Sequence, residues 1–194
     1  AASGRSLLRL TLHVGAGTFK PVKSERIGEH KMHSERIQVK KLALEELVLQ
    51  LEKGSPVVAV GTTAVRTLES IYWLGCALEK NIGYASPLVV SQWQPYDMLP
   101  DEMLSPQEAV RAVLLYLEKE DMDELTAFTE IIIAPGYTFR MVDGLITNFH
   151  QPDSTLLLLV AALVGDDWRK IYSYAMDNNF RFLSFGDSSL LMKK

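Results

Sequence analysis

Residues 57–70 read VVAVGTTAVRTLES. A short β-branched apolar run followed at once by Gly and two Thr, and then by a helical pattern carrying Arg66, is how a buried strand passes through a tight turn into a helix. Free N–H groups at such a helix start, two hydroxyls on Thr62 and Thr63 and a guanidinium one turn in could together hold a carboxylate or phosphate. Alternatively, a Thr only caps the helix and Arg66 lies on the surface. The Lys of a phosphate-binding P-loop is absent, which disfavours nucleoside triphosphate hydrolysis.

Further strand-like runs cover Leu7–Val14, Leu88–Val90, Ile131–Ala134, Leu145–Phe149 and Phe180–Phe185, with Val57–Val60 as the strand just described. Between them lie helical patterns. Leu42–Lys53 ends at Gly54, Thr63 to about Leu74 follows the second strand, and Ser105-Pro106 with Glu108 forms a capping box opening a helix to about Lys119. Ser154 caps Thr155–Val164, and Asp166 or Asp167 starts a helix to about Asn178. Glu118–Glu124, five acids in seven residues, reads as a solvated loop, and Asp143-Gly144 as a turn between two antiparallel strands within Ile131–Phe149. Strands alternating with helices predict an α/β layer structure, with ligand-binding turns at strand ends.

Composition narrows the class. The 194 residues are 47% apolar with 12 Gly and 8 Pro, enough for a sizeable core and unlike a disordered or collagen-like chain. The longest apolar run, Leu156–Val164, is about half of the roughly 20 residues a membrane helix needs. The opening residues do not read as a signal peptide, and one cysteine, Cys76, permits no internal disulfide or multi-thiolate metal site. A cytoplasmic protein with a buried free thiol is expected. Net charge is −4, yet residues 1–41 sum to +6, so a basic face could meet a phosphate backbone or be merely solvated.

Polar residues gather at the predicted strand ends. LTLHVGAGTF at 10–19 runs a strand into Gly15, Gly17 and Thr18, where the backbone could approach a ligand. Glu29-His30-Lys31-Met32-His33-Ser34-Glu35 places two imidazoles three residues apart; on one helical face they could bind metal, act as a proton-transfer pair, or simply be exposed. No third metal ligand is supplied by spacing. Asn148, His150, Asp153 and Ser154 crowd a strand exit at a helix start, and Gly186-Asp187 could offer a carboxylate to a ribose hydroxyl or form a turn.

Taken in order, LHVGAGTF, EHKMHSE, VGTTAVRTLES, PGYTF with VDGLITNFH and PDSTLLLLV, and FRFLSFGD resemble the S-adenosylmethionine:tRNA ribosyltransferase-isomerase family of queuosine biosynthesis. The resemblance spans residues 10 to 187 and implies a mixed β-sheet flanked by helices over residues 7–194. It further implies a β-barrel domain largely outside this chain, with residues 1–6 a fragment boundary. The implied activity moves the ribosyl part of S-adenosylmethionine onto 7-aminomethyl-7-deazaguanine at the tRNA wobble position, giving epoxyqueuosine-tRNA, adenine and methionine. S-adenosylmethionine and the tRNA anticodon region would be the partners, with no separate cofactor, metal or membrane. His30, His33 or His150 would be the base; Gly15, Gly17, Thr18, Thr62, Thr63, Arg66, Asn148 and Asp187 would contact substrate, and the chain alone would turn over little or not at all. A noncatalytic nucleotide- or tRNA-binding domain is the alternative. Residues 71–128 are longer than the family pattern, and Gln151-Pro152-Asp153 stands where Leu-Pro-Lys is usual, which marks a divergent branch.

Overall fold

The computed structural model describes residues 6–14, 27–80, 87–100 and 103–194; Gly15, Gly17 and Thr18 lie outside them. Its strands are β1 (Thr11–His13), β2 (Glu35–Lys40), β3 (Val58–Val60), β4 (Leu88–Val90), β5 (Glu124–Thr129), β6 (Gly144–Asn148) and β7 (Ser188–Met192). Its helices are α1 (Lys41–Glu52), α2 (Thr62–Glu79), α3 (Gln94–Asp97), α4 (Pro106–Lys119), α5 (Thr155–Val164) and α6 (Asp167–Asp177). The class is α/β, but the strands form two mixed sheets, β1-β2-β5-β4 and β3-β6-β7. In each, one pair is parallel, β4 with β5 and β3 with β6, and the remaining pairs are antiparallel.

Three sequence expectations give way. Ile131–Ala134 is buried but irregular: the Tyr96 hydroxyl donates to the Ile132 carbonyl at 3.1 Å and accepts from Ala134 N–H at 3.3 Å, so side chains take the place of a ladder. With no strand there, Ile131–Phe149 is not a hairpin, and β6 pairs instead with β3 and β7. The acidic segment ends in a strand, because Leu125, Ala127 and Thr129 are buried in strict alternation beneath exposed or half-buried neighbours. Phe180–Phe185 is irregular, and the strand follows it as β7. β2, reading ERIQVK, was hidden in the same way by its charged outer face.

Helix α2 is the centre of the molecule. It is buried without a break from Val65 to Cys76, packs on α4 and touches strands of both sheets. Gly61, at φ +89°, makes the turn from β3, and its N–H donates to Ile146 of β6 at 2.8 Å. The Ser105–Glu108 capping box opens α4 as expected, and Ser154 caps α5. Where α2 crosses α4, a methyl group on Gly75 would lie 2.0 Å from the Ala109 carbonyl oxygen. Main chain cannot yield there as a flexible side chain would. Gly75→Ala should therefore destabilise the fold by at least about 1–3 kcal/mol, read as a lower urea midpoint.

Candidate functional site

Five polar side chains of α2, Thr62, Arg66, Thr67, Glu69 and Ser70, are buried. Arg66 is 4% exposed, and its Nη1 forms an ion pair with Glu35, itself 1% exposed, at the start of β2. Arg66 Nε donates to the Ile131 carbonyl at 3.3 Å, while Nη2 is buried and has no hydrogen-bond partner among the described residues. Burial opposes the guanidinium charge and Glu35 supports it. Ser70 and Thr129 share a hydroxyl hydrogen bond of 2.7 Å.

The Glu69 carboxylate accepts the Tyr137 hydroxyl at 2.7 Å and the N–H groups of Arg140, Met141 and Val142 at 3.0 to 3.1 Å. Trp73 Nε1–H donates in turn to the Tyr137 oxygen at 2.7 Å. Complete burial pushes the Glu69 pKa upward against these donors. Neither Glu69 nor its ring of donors was singled out from sequence. The available signal was a carboxylate three residues after Arg66 on a helix otherwise too apolar to face water.

These contacts bring strand ends together around the first turns of α2. Glu35, Thr129 and Val90 lie side by side across the four-stranded sheet. The loops beyond them carry His30 and His33 on one side and Ile131–Tyr137 on the other. His30 and His33 share no helical face; they lie in irregular chain between a 3-10 turn at Ile27–Glu29 and β2. Gln92 clasps that chain, donating to the His30 carbonyl at 2.7 Å and accepting from Met32 N–H at 2.9 Å. His30 is half-buried and His33 exposed. No group of three or more potential metal ligands occurs among the described residues.

From the other sheet come Thr62, buried, and Thr63, half-buried, after β3, and Asn148 at the end of β6 with His150 just beyond it. Neither Thr caps α2 with its side chain, and among the described residues no side chain caps the N–H groups at the helix start. Asn148 donates to the Asp187 carbonyl at 3.2 Å. The Asp187 carboxylate is engaged by Arg181 through its N–H at 2.5 Å and its Nε at 3.2 Å, which holds its pKa down.

His150 is 8% exposed; its N–H donates to the Tyr172 oxygen at 3.0 Å, and its Nε2 lies 3.0 Å from the Thr147 hydroxyl. Burial lowers its pKa to about 4, so it is neutral at pH 7. Between pH 6.5 and 4 the unfolded chain takes up a proton at this position that the native state refuses, so the fold should lose stability as pH falls through that window. The loss reaches at most about 3 kcal/mol. His150→Gln should remove this part of the pH dependence in urea titrations at several pH values.

The sequence profile of the family described as "Queuosine biosynthesis protein" matches residues 1–191. The S-adenosylmethionine:tRNA ribosyltransferase-isomerase of Halothermothrix orenii is 37% identical over 190 residues, covering 97% of this chain and 43% of that protein. The protein of the same name from Paraburkholderia phymatum is 38% identical over 193 residues, covering 99% and 43%. Among solved structures, the S-adenosylmethionine tRNA ribosyltransferase of Thermotoga maritima matches with a TM-score of 0.53 and 33% identity, over 81% of this chain and 40% of that one. The chain thus spans less than half the length of these relatives. A profile matched almost end to end, together with relatives of this identity, establishes that the chain belongs to the queuosine biosynthesis protein family.

Proposed function

We propose that residues 7–194 form the S-adenosylmethionine- and tRNA-binding α/β part of a tRNA ribosyltransferase-isomerase. The reaction moves the ribosyl moiety of S-adenosylmethionine to 7-aminomethyl-7-deazaguanine in the anticodon region, in the cytoplasm, with no separate cofactor. The observation that supports this reading is that the ends of β3 and β6, which lead to Thr62 and to Asn148–His150, and the start of β2, which follows His30 and His33, are all tied to the first turns of α2, through Gly61 and through the Arg66–Glu35 pair.

In this reading a base removes a proton from the 5′-carbon beside the sulfonium, adenine departs, the substrate amine attacks, and epoxide closure expels methionine. A general base works best with a pKa near the working pH. His150, held near 4, is a poor match and acts as a neutral contact donor or acceptor through its ring. His30 and His33, on a loop held in place by Gln92, are the remaining candidate bases. Arg66 is committed to Glu35 through Nη1, so a substrate carboxylate or phosphate would meet its remaining Nη2 and the open N–H groups of the α2 start. Asn148 and Asp187 would line the ribose side, and Gly15, Gly17 and Thr18 would contact substrate as well.

Calorimetry with S-adenosylmethionine tests the binding claim directly, and measurable affinity of this chain is the expected result. Replacement of the true base by Ala should slow hydrogen–deuterium exchange at the 5′-carbon roughly 10²- to 10⁴-fold with S-adenosylmethionine affinity nearly intact. His30→Ala and His33→Ala should be compared with His150→Ala in this assay in the full-length enzyme, in the presence of deazaguanine-modified tRNA. Wild-type exchange in all three variants would reject the imidazole base.

A further inference from the structure

Among the described residues, one face of the four-stranded sheet has no element packed over it. Ile37, Val39, Leu88, Val90, Leu125 and Ala127 point into the core, and the alternate residues point outward. The register places His13, Arg36, Phe128 and Val89 in one row across all four strands. The next row holds Thr11, Gln38 and Thr126, and Lys40 lies beyond it opposite Glu124. His13, Arg36, Lys40, Thr126 and Val89 are exposed, and Phe128 is half-buried.

Charge and shape on this face suit one class of partner. Arg36 and Lys40 form no ion pair among the described residues. Glu124, the one carboxylate in these rows, accepts a hydrogen bond from Gln38 at 2.8 Å. A protein segment packed here would strip water from two cations without replacing it, which is costly. A polyanion would not. Arg36 and Lys40 are four residues apart on the same side of a strand, about 13 Å, which reaches alternate rather than adjacent phosphates of an extended single strand. Phe128 stands directly across from Arg36, so a base stacked on the ring would have its phosphate beside the guanidinium. Arg36 also adjoins Glu35, so the row lies one residue from the strand ends that carry the candidate site.

We propose that this sheet face docks single-stranded RNA, with backbone phosphates on Arg36 and Lys40 and a base on Phe128. The polymer being a tRNA substrate rests on the function proposed above; the surface itself does not.

The test is fluorescence anisotropy of this chain with a tRNA transcript and with a labelled single-stranded RNA oligonucleotide across a salt series. Phe128→Ala should weaken binding roughly 5- to 150-fold, the effect of losing one stacked base, and Phe128→Tyr should restore it. Arg36→Gln with Lys40→Gln should reduce the slope of log affinity against log salt by about 1.4 for the single strand, two phosphate contacts at about 0.7 each. Lys53→Gln, exposed at the end of α1, should change neither. Circular dichroism melts establish that each variant is folded.

Failure of the wild-type chain to bind RNA would overturn the proposal, as would sheet variants with wild-type affinity and slope. Self-association abolished by Phe128→Ala, with no effect on RNA, would assign the face to a second copy and also overturn it. Calorimetry with S-adenosylmethionine separates the two readings. Binding of that ligand with no response of RNA affinity to the sheet variants rejects the docking face alone. Absence of that binding, with the RNA effects intact, rejects the pocket alone.

Discussion

A helix surrounded by protein on every side cannot leave its polar groups to water, and α2 carries Arg66, Glu69 and Ser70 into that environment. Removing one member of a buried charged pair costs about 3–5 kcal/mol, so each of these groups dictates what must sit beside it. Arg66 demands Glu35 and the Ile131 carbonyl, Ser70 demands Thr129, and Glu69 demands Tyr137 and three consecutive N–H groups. Through these demands one helix sets the position of β2, the end of β5 and the loop from Pro135 to Val142.

The same arrangement explains why the candidate site lies where it does. β3 enters α2 through Gly61, whose N–H reaches β6, so Thr62 and the segment Asn148–His150 share an end of the smaller sheet. One turn later Arg66 reaches the larger sheet. Loops from both sheets are thereby presented around a single helix start, where partial positive charge and free N–H groups favour an anionic ligand group. The histidines differ in setting within this frame. His150 is enclosed by Thr147 and Tyr172 and pushed toward neutrality, whereas His30 and His33 lie on a loop fastened by one glutamine side chain. Much of the ordered motif pattern is thus scaffold: in VGTTAVRTLES, Arg66, Glu69 and Ser70 each have a structural partner in addition to any ligand they meet.

Local rules carried a large share of the reading from sequence alone. The turn at Gly61, the capping box at Ser105, the cap at Ser154, the stops after α1 and α5 and the strand Leu88–Val90 all depend on residues within a few positions of one another, and all stand in the structure close to their expected bounds. The ordered motifs that resemble the family were legible for the same reason, since they are contiguous strings. Three things were decided only by tertiary packing. β2 and β5 are strands because one face of each is covered, which charged residues on the other face concealed. Ile131–Ala134, apolar enough for a strand, is irregular because Tyr96 satisfies its backbone from a distant element. Arg66 proved to be buried and paired with Glu35 rather than on the surface, a partnership hidden in the sequence because the counterion lies 31 residues earlier and no pattern along the chain specifies which carboxylate will be buried beside it.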